Sequence, residues 1–470
     1  MRLRPISNGV KLSFYGAAQE VTGSCFLLEA AAGNGAISNK KSTKILIDCG
    51  LFQCPKYCDV RNAEPFPFKA REISAVFVSH AHVDHTGRIP KLIKEGFHGR
   101  IYSTNPTKEL AELMLKDSID VLAKEASRDN GEALYTEEDA DKAMEFWEGK
   151  NYGEKISVGD SPAGGFTVSL HDAGHILGSA MIEVVCEGKK ILFSGDLGNP
   201  FNPLLSGFEK ISGVNYLLVE ATYGDRVHED LAEKKLKLER VIEKSVMQGG
   251  VLMIPAFSLE RTQELLWEIT DMLKNKQIPN VPIFLDSPLA IRAGRVYEKY
   301  HSYLNKVNIK SGSFSFLKLP NVKQTLSTEE SKSINNVPSP KIIIAGSGMS
   351  TGGRILHHER RYLQDPKSTI LFIGYQAPGS LGRRIQDGAD FVKIFREEIS
   401  VRCHKEAIHG YSAHPDENTL FDFVQDKADT LERIYTVHAE PKASFAFVQK
   451  VRDYLGIEAF APKNGETVEI

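Results

Sequence analysis

The densest chemistry in this chain lies in seven consecutive residues, Ser79-His80-Ala81-His82-Val83-Asp84-His85. Imidazole and carboxylate are the ligands zinc takes when it must keep an exchangeable water. The run follows directly on the apolar stretch Ala75–Val78, which reads as a strand. Residues two apart in an extended segment can project to one side, so His80 and His82 can share one metal. Asp84 and His85, beyond the bend, can reach a second. The competing account is an exposed polar run. At this chain's histidine and aspartate frequencies, HxHxDH arises by chance on the order of once in a thousand such chains.

Three further groups stand where apolar runs end. Lys44–Asp48 closes on a carboxylate followed by Cys49 and Gly50. Asp172-Ala-Gly-His175 puts a histidine in a glycine-bounded turn, and Phe193-Ser-Gly-Asp196-Leu-Gly198 places another carboxylate after a strand. Alone, a strand-end aspartate is more often a turn former and a single histidine more often structural. Their order along successive strands is what joins them to the histidine run.

The elements that must position these groups change character along the chain. The first half reads as strands, at Lys11–Tyr15, Ser24–Glu29, Lys44–Asp48, Ala75–Ser79, Phe166–Leu170, Met181–Cys186, Lys190–Ser194 and Tyr216–Glu220. Helical patterns cover Thr107–Ala126 and the charged segment Thr136–Trp147. From about residue 226, helices (Leu231–Met247, Leu259–Lys274, Arg354–Leu363) alternate with short strands (Val251–Pro255, Pro282–Leu285, Lys341–Ala345, Thr369–Ile373). That alternation predicts a parallel α/β layer. Ser311–Pro340, rich in Ser, Asn, Lys and Pro, reads as loop.

Bulk properties set outer limits. The chain has 470 residues, 41% hydrophobic and 25% charged, the balance of a globular protein of two to three domains. Met1–Phe14 carries no long apolar run, and no stretch is long enough to cross a bilayer, so neither a secretory signal nor a membrane partner is expected. Six scattered cysteines fit a reducing cytoplasm better than a disulfide framework; Cys54 and Cys58 make a CxxxC pair with no second pair to complete a zinc site. The net charge of −3 argues mildly against nucleic acid as partner. An enzyme that holds phosphates through metals and amides needs less bulk positive charge.

The order Asp, HxHxDH, His, Asp resembles the metallo-β-lactamase fold, a four-layer αββα sandwich with its metals at one edge. The resemblance implies that His80, His82 and His175 hold one zinc, Asp84 and His85 the other, that Asp196 bridges them and that Asp48 supports the site. Glu220-Ala-Thr-Tyr-Gly-Asp-Arg226, Tyr411-Ser-Ala-His414-Pro-Asp416 and Thr436-Val-His438-Ala-Glu440 are similar to the additional motifs of the β-CASP branch, which processes nucleic acids. In that branch an α/β domain is inserted into the first. The expected organisation is therefore 1–225, first part of the metallo-β-lactamase domain; 226–400, the β-CASP domain; and 401–470, the completing part. Pro255-Ala-Phe-Ser-Leu-Glu-Arg261 and Asp286-Ser-Pro-Leu-Ala290 also resemble bacterial members. Ala221 departs from the serine common in relatives. His438 is the position where RNA-processing members resemble one another in carrying histidine, and it implies a third protein ligand on the second zinc.

Gly346-Ser-Gly-Met-Ser-Thr-Gly-Gly353 follows a strand and precedes a helix. A glycine-rich turn at a helix start can present N–H groups to an anion, and it is not a Walker A loop. A turn that merely needs glycine is the plainer account. Within a nuclease, Ser347, Gly348, Met349, Ser350, Thr351, Gly352 and Arg354 become candidate RNA-backbone contacts. Ser380, Arg383 and Arg384 in the second glycine-rich loop join them, and Tyr375 is a candidate for base stacking. The expected activity is a zinc-dependent ribonuclease with two Zn2+ per chain, acting on single-stranded RNA and cutting internally. Hydroxide attacks in line, and 5′-phosphate and 3′-hydroxyl ends are left. His414, oriented by Glu220, is the candidate general acid for the leaving oxygen. No nucleotide cofactor is expected, and a homodimer stays open. The alternatives are an ester or thioester hydrolase or a DNA nuclease of the same fold, and, in a different class, a non-catalytic RNA-binding subunit.

Overall fold

The computed structural model describes residues 9–30, 42–53, 58–128, 132–159, 165–228, 231–309, 315 and 321–470. The chain forms two compact units, one of Met1–Pro200, Gly207–Val227 and His414–Ile470, the other of Phe201–Ser206 and His228–Ala413.

The first unit holds two seven-stranded sheets. One runs in the order Thr467–Glu469, Lys11–Phe14, Phe26–Ala30, Thr43–Ile47, Ala75–Phe77, Arg100–Thr104, Trp147–Lys150. The other runs Glu458–Phe460, Arg433–Val437, Tyr216–Glu220, Lys189–Phe193, Ala180–Cys186, Phe166–Asp172, Ile156–Val158. Each is antiparallel at one end and parallel at the other. Alternate residues of a strand face opposite sides. Leu12, Phe14, Phe26, Leu28, Ile45, Ile47 and Phe77 of the first sheet therefore meet Phe166, Val168, Ile182, Val184, Ile191, Phe193 and Leu218 of the second in one apolar layer. The intervening residues Leu192, Leu217, Val219 and Ile434 turn outward, against Leu420 and Phe423 of helix Glu417–Gln425 and Phe447 and Val451 of helix Pro441–Leu455. Helix Asn105–Arg128 covers the first sheet beside strands Arg100–Thr104 and Trp147–Lys150. This is the αββα sandwich, and its last strands come from the returning segment: Arg433–Val437 pairs in parallel with Tyr216–Glu220, and Thr467–Glu469 closes on Lys11–Phe14.

The second unit is a six-stranded parallel sheet in the order Val322–Gln324, Ile283–Asp286, Lys341–Ala345, Val251–Pro255, Thr369–Ile373, His404–Ile408. Its four inner strands are buried on both faces, as expected where helices cover both, and the two edge strands Val322–Gln324 and His404–Ile408 are more polar. Because His404–Ile408 pairs with Thr369–Ile373, the residues expected to complete the first domain from 401 begin in this sheet.

Some expectations are corrected. Ser311–Pro340 is not all loop. It contains strand Val322–Gln324 and helix Thr328–Ser333, the latter started by a capping box in which Ser327 and Glu330 bond each other's backbone N–H groups; residues 311–314 and 316–320 lie outside the described ones. Trp147 opens a strand instead of ending a helix, since the helix stops at Phe146. Helix Pro288–Lys299 and strand Arg100–Thr104 had no counterpart in the sequence reading. Cys25, Cys49, Cys186 and Cys403 are buried free thiols; Cys58 is disulfide-bonded, and Cys54 lies outside the described residues. Among the described residues no helix is long and apolar enough to cross a membrane.

The second unit buries one carboxyl with a thermodynamic consequence. Glu359 is fully buried, and its contact among the described side chains is the hydroxyl of Ser350. Burial pushes its carboxyl up to about 8, with the Ser350 hydrogen bond opposing. Between the ordinary value of 4.5 and about 8, the folded chain keeps a proton that the unfolded chain releases. Stability attributable to this group therefore falls as pH rises through that window. The Glu359→Gln variant is expected to lose less thermal stability than the parent between about pH 5 and pH 8, and to melt higher at the upper end. Thermal melts across that range check this, and parallel melting curves would refute it.

Candidate metal centre

Every candidate ligand of the first unit stands just past the carboxyl end of a strand. His80 and His82 follow Ala75–Phe77, and the one-turn helix Val83–Thr86 carries Asp84 and His85 round the bend. His175 follows Phe166–Asp172, Asp196 follows Lys189–Phe193, and His438 follows Arg433–Val437 with a left-handed φ of 50°. The His438 N–H is held by the carbonyl of Ala17 at 2.7 Å, which fixes that unusual turn.

The side chains converge. His80, His82, His175 and Asp196 bring one donor atom each within 4.8 Å of one another, and so do Asp84, His85 and His438. Asp196 lies between the two groups. Its Oδ2 is 3.4 Å from His80 Nε2, 3.6 Å from His175 Nε2 and 3.5 Å from His438 Nε2, and its Oδ1 is 3.2 Å from His85 Nε2. His80 Nε2 and His82 Nδ1 approach to 3.0 Å. His80, His85, His175, Asp196 and His438 are buried.

Asp48 stands one layer further out. It accepts the Ser79 N–H and hydroxyl, each at 2.7 Å, and faces His85 Nδ1 at 2.7 Å. With Nδ1–H engaged, His85 directs Nε2 at the donor cluster, the arrangement a metal-binding histidine needs. Ser79 was not singled out from the sequence, although its place at the head of the histidine run is the signal that marks it.

The protonation pattern follows from burial. Burial first, then the neighbouring imidazoles, hold His80 well below its ordinary range; burial lowers His82 to about 4 and also lowers His438. These rings are neutral, the form that binds metal. For His85, burial works downward, but Asp196 and Asp48 override it and hold the ring well above its usual value. Burial would raise Asp196, yet His438, His85 and His80 together keep it well below the carboxylate range. His438 Nδ1 is buried with no hydrogen-bond partner. A buried carboxylate met by four imidazoles, with burial favouring the neutral form of His80 and His438, fits a divalent metal. Nitrogen and oxygen donors suit zinc among such metals.

Glu220 and His414 border the cluster. Glu220, fully buried, faces His414 Nδ1 at 2.9 and 3.0 Å and accepts the Leu197 N–H at 2.7 Å. The His414 ring lies 4.8 Å from that of His175 and 5.7 Å from that of His438. His414 also shares a donor group with Asp196 and His438, so its ring reaches the cluster edge.

The candidate RNA contacts belong to the second unit. Ser347 Oγ accepts the N–H groups of Thr351 and Gly352 at 3.0 and 3.1 Å, so a hydroxyl oxygen sits inside the loop's amide nest. The Met349 carbonyl accepts the Gly382 N–H, and the Gly348 carbonyl accepts Gln376 Nε2, which joins this loop to the one carrying Ser380, Arg383 and Arg384. Three more of the candidates have internal partners. Ser350 bonds Glu359; Ser380 caps helix Leu381–Gln386; Arg354 donates to Asp286 at 2.7 Å and to the carbonyls of Thr325 and Leu326. Arg383 pairs with Asp387 at the surface, and Arg384 is exposed. Asp286, wholly buried, collects Arg354, His358, Thr325 and Ser331, a network the sequence did not disclose.

Asp48 yields a test of this geometry. Asp48→Asn leaves one of its donors without an acceptor and releases the His85 tautomer. Affinity at the Asp84–His85–His438 position is expected to fall about 10- to 100-fold, with the His80–His82–His175 position little changed. Zinc titration against a chromophoric chelator separates the two, and an equal loss at both would refute the assignment of Asp48 to His85.

Known proteins match this architecture. A metallo-beta-lactamase superfamily domain matches residues 37–218, a Beta-Casp domain residues 262–385, and a Zn-dependent metallo-hydrolase RNA specificity domain residues 398–462. The chain is 34% identical to "Ribonuclease TTHA0252" of Thermus thermophilus, over 97% of this chain and 99% of that protein. It is 31% identical to "RNase J-like protein" of Methanocaldococcus jannaschii over 98% and 100%, and 31% identical to "Transcription termination factor FttA" of Methanosarcina mazei over 98% and 72%. A crystal structure of a protein of unknown function from Enterococcus faecalis shares the fold, with a TM-score of 0.56 at 13% identity over 98% of this chain and 100% of that one. The chain therefore belongs to the metallo-β-lactamase superfamily of metal-dependent hydrolases, in its β-CASP branch.

Proposed function

We propose that this protein is a zinc-dependent ribonuclease that hydrolyses phosphodiester bonds within single-stranded RNA, holding two Zn2+ per chain. The observation that carries the reading is the Glu220–His414 pair set against the buried His/Asp cluster. A donor cluster alone suits any hydrolase of the fold; an imidazole held by a buried carboxylate at its edge adds a positioned proton donor. The RNA specificity domain matched at 398–462 and the ribonuclease names of the relatives support RNA as substrate.

His80, His82, His175 and Asp196 would hold one ion, and Asp84, His85, His438 and Asp196 the other. Ions bound there supply Lewis acidity that makes hydroxide available near neutral pH and offsets charge on the phosphate oxygens. The chain's own groups do the rest. Asp48 holds the His85 tautomer. Glu220 fixes His414 through Nδ1, and the imidazole then gives its proton to the ribose oxygen as that oxygen departs. Water as nucleophile leaves a 5′-phosphate and a 3′-hydroxyl. In the second unit, the hydroxyls of Ser347 and Thr351 and the exposed Arg384 are the groups best suited to backbone phosphates; Ser350, Ser380 and Arg354 would shape that surface from within.

The test is cleavage of a 5′-labelled single-stranded RNA beside a DNA of the same sequence. Internal cuts in RNA alone are expected, abolished by chelator and reduced about 100- to 10,000-fold in kcat by His414→Ala. Mass spectrometry of the native chain is expected to count two zinc ions. Cleavage of a thioester or lactam with both nucleic acids intact would replace this reading by a small-molecule hydrolase. RNA cleavage that survives chelation would mean attack by the 2′-hydroxyl.

A further inference from the structure

The path of the chain through the six-stranded sheet marks a position that no candidate residue above accounts for. Val251–Pro255 and Lys341–Ala345 are neighbours in the middle of the sheet. From the first, the chain crosses to Ile283–Asp286 on one side; from the second, it crosses to Thr369–Ile373 on the other. Crossovers of one hand that leave in opposite directions lie on opposite faces, and a crevice opens at the carboxyl ends between them. The helix Ile355–Tyr362 of the second crossover follows this rule: Ile355 packs with Met253, Ile343 and Phe372 on one face, in a cluster that includes no residue of helix Arg261–Lys274.

Two loops line that crevice, 256–260 and Gly346–Gly353. Phe257 crosses from one to the other. Its ring lies on Gly348 so closely that a Cβ there would stand 2.7 Å from Phe257 Cδ2. Phe257 is nevertheless 40% exposed. The backbone that carries it is held, since the Phe257 carbonyl accepts the Thr262 hydroxyl at 2.7 Å and the Thr262 N–H at 3.3 Å. Beside it, Ser258 Oγ and Ser287 Oγ lie 3.3 Å apart and face Gly346. Ser347 Oγ accepts the N–H groups of Thr351 and Gly352, so what it can offer an anionic oxygen is its own hydroxyl. Isolated exposed phenylalanines such as Phe391 are ordinary surface features. Phe257 differs in lying against a glycine, beside hydroxyls at the switch point.

We infer that Phe257 is a nucleobase-stacking platform. One base of single-stranded RNA lies on its exposed face, and the adjoining phosphate meets the hydroxyls of Ser258, Ser287 and Ser347. An aromatic face of this kind accepts any base, which suits backbone-directed binding of single strands. Gly348 is required because any side chain there would lift the ring. This inference rests on the ribonuclease reading for its ligand, and its test is chosen to fail separately.

The test is equilibrium binding of fluorescein-labelled oligo(A) RNA to the full chain in chelator, where cleavage is silent. Phe257→Leu and Phe257→Ala are expected to weaken binding about five- to a hundredfold, and Phe257→Trp to restore it. Emission of the Phe257→Trp indole is expected to be quenched by oligo(A) and unchanged by inorganic phosphate. An abasic ribose-phosphate oligomer is expected to bind parent and Phe257→Leu alike. Binding of oligo(A) by Phe257→Leu at the parent level, an indole that ignores RNA, or no RNA binding by the parent each overturns the platform. RNA that binds in this manner but is not cut by the zinc-loaded chain overturns the nuclease reading and leaves the platform standing.

Discussion

Asp196 is a buried carboxylate approached by four imidazole nitrogens at 3.2 to 3.6 Å, and the first unit is organised around that concentration of polar groups. A charge removed from water is expensive unless a cation or a full set of donors offsets it. The groups that meet there come from four separate strand ends. That demand explains why the parallel halves of both sheets point their carboxyl ends at one edge, and why the turns there adopt backbone conformations unusual for non-glycine residues, with φ of 59° at Asp48 and 50° at His438. Strain of this kind persists only where the surroundings hold it, as the Ala17 carbonyl holds the His438 N–H.

The outer partners convert proximity into direction. An imidazole has two nitrogens, and the one that is protonated is set by what the other side offers. Asp48 takes one side of His85 and Glu220 takes one side of His414. In both cases the carboxylate is buried beneath the ring and bonded to backbone N–H groups as well, of Ser79 and of Leu197. Such bonds hold the acids where they are, so each ring presents a fixed edge to the cluster.

The second unit solves a different problem with similar means. Asp286 ends a central strand in complete burial and gathers Thr325, Ser331, Arg354 and His358. These donors hold its carboxyl far below the usual range in spite of burial. The network ties three successive crossovers together beneath the glycine-rich loop.

The sequence by itself determined the local grammar of this protein. Helix Leu231–Met247 and strands Val251–Pro255, Lys341–Ala345 and Thr369–Ile373 fall on the residues their periodicity marked, because apolar spacing and chain breakers act over a few neighbours. The HxHxDH run was legible for the same reason, being contiguous. Where a local signal was present but passed over, as in the Ser327–Glu330 capping box, the polar composition around it masked the helix. The tertiary structure alone decided which distant groups meet. Glu220 and His414 stand 194 residues apart, and no local rule pairs them; their approach depends on Arg433–Val437 entering the sheet beside Tyr216–Glu220. The same holds for Arg354, which reads as a phosphate ligand in sequence and is drawn to Asp286 by the cost of leaving that carboxylate unpaired. The approach of Phe257 to Gly348 is decided in the same way, by the parallel pairing of Val251–Pro255 with Lys341–Ala345 that sets their following loops side by side.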